Sequence, residues 1–232
     1  MTRLVRWLVA LALLPICIGA SKAALLCLRG SAAAPEFWIA FGGGVGAWLL
    51  VFLALPKPVW LYVVGHELTH ALWGILFGAK VKSLRATAKG GQVVLSHSNT
   101  LIALAPYFFP FYTAIFTGFA LTVRWLWPSS WVDPVFHFGL GITYAFHVTL
   151  TLWILRIRQS DITGEGYLLS AMIIWLGNVL MVLTAVPPLT GTGYPFPHLY
   201  QAFLETGRSV EFTGRAAMAL IHRLDAMRAG WR

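Results

Sequence analysis

One short segment of this chain places three chemically active side chains at a fixed spacing. Residues 64–70 read VGHELTH, so His66 and His70 are four positions apart. On a helix this spacing puts both imidazoles on one face, where their ring nitrogens can bind one zinc ion. Glu67 lies roughly 100° around the helix from His66, so it can flank the metal without being a ligand. The motif therefore predicts a zinc site with Glu67 as the general base that takes a proton from water at the metal.

A catalytic zinc ion takes three protein ligands and leaves a fourth position for water, so one more ligand is expected. The candidates are His147 and Asp161. His147 matches the depth of the motif, because it lies about 18 Å into an apolar segment that enters from the same side. Asp161 follows that segment and reaches the metal only if the chain unwinds and dips inward, which Gly164 and Gly166 would permit. The choice between His147 and Asp161 stays open on these grounds.

Each of these residues also has a purely structural interpretation. The motif can be a chance match with two core histidines, although histidine and glutamate are scarce in this chain. His147 can be a structural histidine bonded to a backbone carbonyl group, and Asp161 can pair with Arg156 or Arg158 at a membrane interface. An ionisable cluster inside an apolar segment is costly, which favours a functional interpretation of the motif.

The composition is typical of a membrane protein. Of 232 residues, 58% are hydrophobic and 11% are charged, whereas soluble domains carry about 25% charged residues. The formal charge is +9, but the basic residues are scattered between apolar runs, which argues against nucleic acid as a partner. Anionic lipid headgroups explain these residues better, so a lipid bilayer is the expected surrounding.

Apolar stretches predict an all-α polytopic membrane protein with about six transmembrane helices and a small β-hairpin. The predicted spans cover residues 7–20, 37–55, 59–77, 101–127, 135–157 and 167–186. Pro106 and Pro110 are expected to kink the start of the fourth span. In the second span, four glycines permit close approach by a neighbouring helix: Gly42, Gly43, Gly44 and Gly46.

Three segments around these spans have their own interpretation. Residues 7–20 can be a signal peptide or a retained first helix, and the apolar residues that resume at 23–28 favour the helix. Residues 79–98 mix apolar and basic residues, and Gly90-Gly91 can form a turn, which predicts a hairpin after the motif helix; a plain loop is the alternative. Residues 1–190 are expected to form the membrane domain, followed over 191–232 by a loop and an amphipathic helix that either lies on the membrane surface or packs on the core. The stripe of that helix comprises Ala217, Leu220, Ile221 and Leu224.

An even number of spans places both termini on one side of the membrane. The basic residues are slightly in excess on that side, which favours cytoplasmic termini in a bacterial plasma membrane.

The motif and its surroundings resemble the site-2 protease family of intramembrane zinc metalloproteases. The likeness lies in GHELTHAL at residues 65–72, in the glycine-rich, strand-like segment after it, and in LIALAP at residues 101–106. The resemblance covers roughly residues 59–178, about half of the chain. It implies His66 and His70 as zinc ligands, Glu67 as the base, and a carboxylate from a later span as the third ligand. The family's carboxylate usually sits in a Leu-Asp-Gly-like motif, which this chain lacks; QSDITG at residues 159–164 is the nearest match and makes Asp161 that ligand.

The resemblance also implies an activity: hydrolysis of peptide bonds in membrane-protein substrates, within or beside the bilayer. The hairpin would then offer a strand edge to an unfolded substrate segment. Two other functions stay open, namely a non-proteolytic membrane scaffold that binds partner helices and a metal-dependent hydrolase of another amphiphile. Glu67 argues for hydrolysis over metal storage, because a storage site needs no general base.

Overall fold

The computed structural model describes residues 2–87, 90–129 and 131–229 of the chain. Over these residues the chain is mostly helical, with two short strands, which confirms the predicted helical fold with a small β-hairpin. The elements in chain order are α1 (Arg3–Ser31), α2 (Pro35–Ala54), α3 (Val59–Leu76), β1 (Val81–Thr87), β2 (Gly90–Leu95), α4 (Thr100–Leu104), a 3-10 helix (Ala105–Tyr107), α5 (Phe111–Leu126), α6 (Val132–Ile154), α7 (Ser160–Glu165), α8 (Tyr167–Thr190) and α9 (Pro195–Ala229).

Four of the described helices are long and apolar enough to cross a bilayer: α1, α2, α6 and α8. A fifth span results if the segment Thr100–Tyr107 is counted together with α5, although the chain bends by 74° between them. The motif helix α3 is not among these candidates, so the predicted count of about six spans is not confirmed. The reason is its composition, since α3 has 18 residues and carries the polar motif within them.

Contacts divide the chain into two compact units, Met1–Ser31 with Asn178–Arg232, and Ala32–Gly177. In the first unit, α1 packs along α9, and a Cβ at Gly19 would collide with the backbone of Thr206. Glu205 of α9 is buried and accepts hydrogen bonds from Gln201 and Arg208. The predicted boundary at residue 190 separates a membrane domain from a loop and an amphipathic helix. This division stays a prediction.

The C-terminal part of the chain differs from the sequence-based expectation. Helix α8 continues through Pro187 and Pro188 rather than ending before them, and α9 begins at Pro195 and is 35 residues long. In the predicted apolar stripe, Ala217 and Ile221 are exposed. The side chains of Leu220 and Leu224 lie outside the described residues.

In the second unit, α2 and α6 cross at very short distance through a pair of glycines. A Cβ at Gly44 would collide with the carbonyl oxygen of Phe138, and one at Gly141 would collide with that of Phe41. The predicted role of Gly44 in close helix approach is therefore confirmed. Around Gly42 and Gly46 the described residues leave open space, so these two glycines do not have that role.

Two apolar clusters position the motif helix inside this unit. Trp48 and Phe146 pack with Tyr62 and so join α3 to α2 and α6. On its other side, Trp73 packs against a buried cluster that includes Leu104 and Tyr107. The motif helix is thus fixed laterally by the segments before and after it in the chain.

The hairpin forms as expected, but with a different turn. Strands β1 and β2 are antiparallel, with Thr87 opposite Gly90 and Ala86 opposite Gly91. Gly90 and Gly91 therefore belong to β2 rather than to the turn. Residues 88 and 89, between the two strands, lie outside the described residues.

Replacing Gly141 by alanine is expected to destabilise the second unit, because the new Cβ would collide with α2. Overpacking of this kind typically costs about 1–3 kcal/mol. Thermal unfolding in detergent, followed by circular dichroism, should show a lower midpoint for Gly141→Ala than for wild type. Gly46→Ala is the matched control, because no described atom lies within 4 Å of a Cβ there. Equal midpoints for the two variants would contradict the close crossing of α2 and α6.

Candidate metal centre

The motif helix α3 presents His66 and His70 side by side. The helix begins after Pro58 and ends before Gly78, whose φ of +80° suits a glycine at a helix C-terminus. The imidazole ring centroids of His66 and His70 are 4.9 Å apart. Both side chains are largely buried, with exposed fractions of 10% and 9%. His66 and His70 therefore share one face of α3, as predicted.

The ring of His70 is oriented by a backbone group of α4. Its Nδ1 lies 2.8 Å from the carbonyl oxygen of Ile102. That carbonyl is held in place because Asn99 caps α4, accepting a hydrogen bond from the Ile102 amide at 2.9 Å. The segment after the hairpin thus fixes the direction in which Nε2 of His70 points.

Asp161 reaches the two histidines because the chain breaks after α6. Helix α6 ends at Ile154, and the short helix α7 begins at Ser160 and carries Asp161 in its first turn. Gly166, with φ of +95°, then redirects the chain into α8. Oδ2 of Asp161 lies 3.3 Å from Nε2 of His66 and 3.6 Å from Nε2 of His70.

Hydrogen bonds from the preceding segment hold α7 in this position. The hydroxyl of Tyr107 donates to Oδ2 of Asp161 at 3.0 Å, and the hydroxyl of Thr100 donates to Oε2 of Glu165 at 2.8 Å. One end of the short helix is therefore tied to the 3-10 helix and the other to the start of α4. In the described part of the chain, the ion pairs of Asp161 are with the two histidines rather than with Arg156 or Arg158.

These three side chains have the geometry of a metal site. One ligand atom from each of His66, His70 and Asp161 lies within 4.8 Å of the other two. Zinc–ligand bonds of about 2.0–2.1 Å in a tetrahedron place neighbouring donor atoms about 3.3 Å apart, close to the two nitrogen–oxygen distances here. Two imidazole nitrogens and one carboxylate oxygen also match the donor set of catalytic zinc sites. The residues present therefore fit a zinc ion.

The hydrogen bonding of His70 is also consistent with a bound cation. A carbonyl oxygen only accepts hydrogen bonds, so Nδ1 of His70 must be the donor to Ile102. In a neutral ring, Nε2 then carries a lone pair, and this lone pair faces the Asp161 carboxylate. Two acceptors in this arrangement repel each other unless a cation, either a metal ion or a proton on His70, lies between them.

Asp161 is suited to this cation. Burial acts to raise the pKa of its carboxyl group, but the neighbouring His66 and His70 imidazoles lower the pKa by more, so that it lies below its ordinary value. The carboxylate is therefore ionised at neutral pH and available as an anionic ligand.

Glu67 lies beside the three residues and under strand β2. Its carboxylate is buried and hydrogen-bonds to the backbone of Val93. A Cβ at Gly91 would lie 2.6 Å from Oε1 of Glu67, so only glycine lets the strand come this close without displacing the carboxylate. The short distance between β2 and Glu67 depends on Gly91.

A cavity of about 570 Å³ opens onto these side chains. Its lining includes the motif side chains, Asp161 and Arg158, together with Gly91, Val93 and His97 of the hairpin region. This size lies within the range of about 300–1,000 Å³ that is usual for ligand pockets. The cavity thus joins the cluster, Glu67 and the hairpin in one space.

His147, the other predicted third ligand, lies elsewhere around His66. It is buried on α6 with 7% exposure and borders a second, smaller cavity together with His66. Among the described residues it is not part of the group whose ligand atoms converge. The geometry therefore favours Asp161 over His147 as the third member of the cluster.

Three contributions to this site were not predicted from the sequence: the Tyr107 hydroxyl, the Ile102 carbonyl and the fit of Gly91 against Glu67. Tyr107 could have been suspected, because it is a polar side chain directly after Pro106 in an apolar run. The role of the Ile102 carbonyl could not be predicted, because it is a backbone group and does not depend on the side chain. The role of Gly91 could not be predicted either, because the Gly90-Gly91 pair also suits a turn.

Comparisons of the chain with protein-family models, with curated proteins and with solved structures find no match.

Removal of a cluster member is expected to remove a bound metal ion. Purified wild-type protein in detergent should hold about one zinc ion per chain, and both His70→Ala and Asp161→Ala should lose most of it. His97→Ala is the control, because His97 lines the same cavity outside the cluster. Metal content after dialysis can be measured by mass spectrometry. Full retention by Asp161→Ala together with loss by His147→Ala would identify His147 as the third ligand instead.

Proposed function

We propose that this chain is a membrane-embedded zinc metallopeptidase that hydrolyses peptide bonds of membrane-protein substrates within or beside the bilayer. The observation that carries the proposal is the convergence of one ligand atom each from His66, His70 and Asp161, beside Glu67 and an open cavity. A proton on His70 or a metal ion must lie between His70 and Asp161, and the proposal takes the metal ion because a buried carboxylate, Glu67, lies next to it and is placed for proton transfer. The resemblance of the motif region to site-2 proteases supports the same reaction.

In this proposal His66 and His70 hold the zinc ion through Nε2, and Asp161 holds it through a carboxylate oxygen. When bound, zinc supplies a Lewis acid that polarises a carbonyl group and makes water more acidic. Tyr107 keeps Asp161 in place through its hydrogen bond to Oδ2, and Ile102 keeps His70 in the required tautomer.

Glu67 is the general base of the proposed reaction. Its carboxylate accepts a proton from the attacking water molecule and delivers that proton to the departing amine nitrogen of the peptide. The hydrogen bond from the Val93 backbone restrains the carboxylate at the edge of the cavity. Burial under β2 also limits the access of bulk water to the base.

Strand β2 is the proposed docking edge for the substrate. A peptide bond is attacked most readily in an extended segment, and an extended segment can pair with a strand by backbone hydrogen bonds. Gly91 and Val93 of β2 line the same cavity as Glu67. A substrate segment paired there would pass its backbone beside the base and the proposed zinc site.

The expected setting is a bacterial plasma membrane, with a multi-pass chain and a transmembrane or membrane-associated protein as substrate. Four or five apolar helices support the multi-pass arrangement. The cavity lies next to α3 and the broken segments on either side of it, and such irregular backbone at membrane depth is tolerated where it lines a water-filled space.

A second candidate function is hydrolysis of another amphiphilic substrate with an anionic headgroup. The observation that favours this function is Arg158, which is exposed and lines the same cavity as Glu67 and Asp161. A guanidinium group at this position can bind a carboxylate or phosphate group. The two functions share the zinc site and the base and differ in the bond that is cleaved.

Glu67→Gln should abolish hydrolysis while retaining zinc, because an amide cannot accept the proton of the attacking water molecule. Loss of a general base typically lowers the rate by about 10²–10⁴-fold. The assay is co-expression with a panel of epitope-tagged single-span membrane proteins, followed by immunoblotting for cleavage products. Glu36→Gln, an exposed site on α2, is the control and should cleave as wild type does. Wild-type cleavage by Glu67→Gln would exclude Glu67 as the base.

Gly91→Ala should reduce cleavage without reducing zinc content, because its Cβ displaces the Glu67 carboxylate and not the three zinc ligands. The matched control is Gly118→Ala on α5, where open space surrounds a Cβ among the described residues. Cleavage and metal content are to be measured on the same preparations. Unchanged cleavage by Gly91→Ala would show that β2 does not position Glu67.

A further inference from the structure

One nitrogen of the proposed site is left without a hydrogen-bond partner. Nδ1 of His66 is buried, and within the described part of the chain no donor or acceptor reaches it. Nε2 of the same ring faces Asp161, so Nδ1 is the nitrogen that carries the hydrogen when Nε2 binds a metal. Metal-binding imidazoles almost always donate this second N–H to an acceptor. His70 does so to Ile102, whereas His66 lacks the equivalent bond.

A small cavity adjoins His66 and offers a place for that acceptor. Its volume is about 10 Å³, and both His66 and His147 border it. About 10–15 Å³ of such space is enough for one water molecule, provided that two or more polar groups surround it. The walls are otherwise mostly apolar and include Phe109 and Phe146.

The other polar side chains of this cavity already have hydrogen bonds. Thr69 donates to the carbonyl of Gly65, Tyr112 donates to the carbonyl of Leu61, and the hydroxyl of Tyr62 pairs with that of Thr151. His147 differs from them, because no hydrogen bond to it is found in the described ranges and it is 7% exposed. A ring nitrogen of His147 is therefore available for a hydrogen bond, and Nδ1 of His66 is the buried atom that needs one.

We infer that a single buried water molecule in this cavity links Nδ1 of His66 to His147, and that His147 is a positioning residue for the first zinc ligand. The water accepts the hydrogen bond from Nδ1–H of His66 and donates one to the unprotonated ring nitrogen of His147. This bridge fixes the tautomer and the direction of the His66 ring, as Ile102 does for His70. The inference rests on the metal site proposed above and gives His147 a role other than that of a ligand.

Two substitutions at His147 separate this role from the alternatives. His147→Phe keeps an aromatic ring but has no group that can bind the water, whereas His147→Gln keeps a donor and an acceptor. Zinc affinity is to be measured on the full chain in detergent by competition with a chromophoric chelator. Loss of such an outer partner typically weakens metal affinity by about 10–100-fold. We expect that loss for His147→Phe, affinity close to wild type for His147→Gln, and one zinc ion per chain at saturation for both variants.

Several results would overturn the inference. Wild-type affinity in His147→Phe would show that the ring does not support His66. Failure of both folded variants to take up zinc at saturation would make His147 itself a ligand. Absence of zinc from the wild type would instead refute the proposed function, which is a separate outcome.

If His147→Phe does not fold, a high-resolution structure of the zinc-loaded wild type gives the same test. A water molecule within hydrogen-bond distance of both rings is expected there, and a dry cavity would overturn the inference.

Discussion

His70 donates its Nδ1 hydrogen to the carbonyl oxygen of Ile102 over 2.8 Å, and this bond decides what its other nitrogen can do. A neutral ring so bonded has a lone pair at Nε2, and that lone pair faces the carboxylate of Asp161 at 3.6 Å. The cap of α4 by Asn99, the hydrogen bond from Tyr107 and the break after α6 all serve to hold these two acceptors together. Such an arrangement is stable only with a metal ion between the two groups or a proton on His70.

Irregular backbone is the second feature on which the site depends. Helix α6 stops at Ile154, and Gln159 donates side-chain hydrogen bonds to the carbonyl groups of Ile154 and Ile157. The break brings a carboxylate to the motif helix and leaves a cavity of about 570 Å³ beside it. Because exposed backbone groups are unfavourable in lipid, a break of this kind is expected where protein and water surround it. The same break therefore accounts for both the third candidate ligand and the cavity beside it.

Local features of the site could be predicted from the sequence, and features that depend on tertiary structure could not. The shared face of His66 and His70 follows from helical spacing alone. The choice between His147 and Asp161 as third ligand could not be made from the sequence. The depth argument continues the helix of His147 beyond Ile154, whereas the chain breaks there. Gly91 was assigned to a turn, since its contact with Glu67 depends on how the hairpin folds over α3. The predicted number of about six spans is not confirmed, because α3 is not among the candidate spans. The polar motif lowers the hydropathy of this 18-residue helix.

X-ray absorption spectroscopy of the zinc-loaded wild-type protein tests the central claim most directly. The proposed cluster predicts a four-coordinate zinc ion bound by nitrogen and oxygen at about 2.0–2.1 Å, with the outer-shell scattering of two imidazole rings. Two imidazoles are expected because His66 and His70 converge on Asp161. A spectrum with sulfur ligands, with a six-coordinate oxygen shell or without imidazole scattering would contradict a zinc site at this cluster.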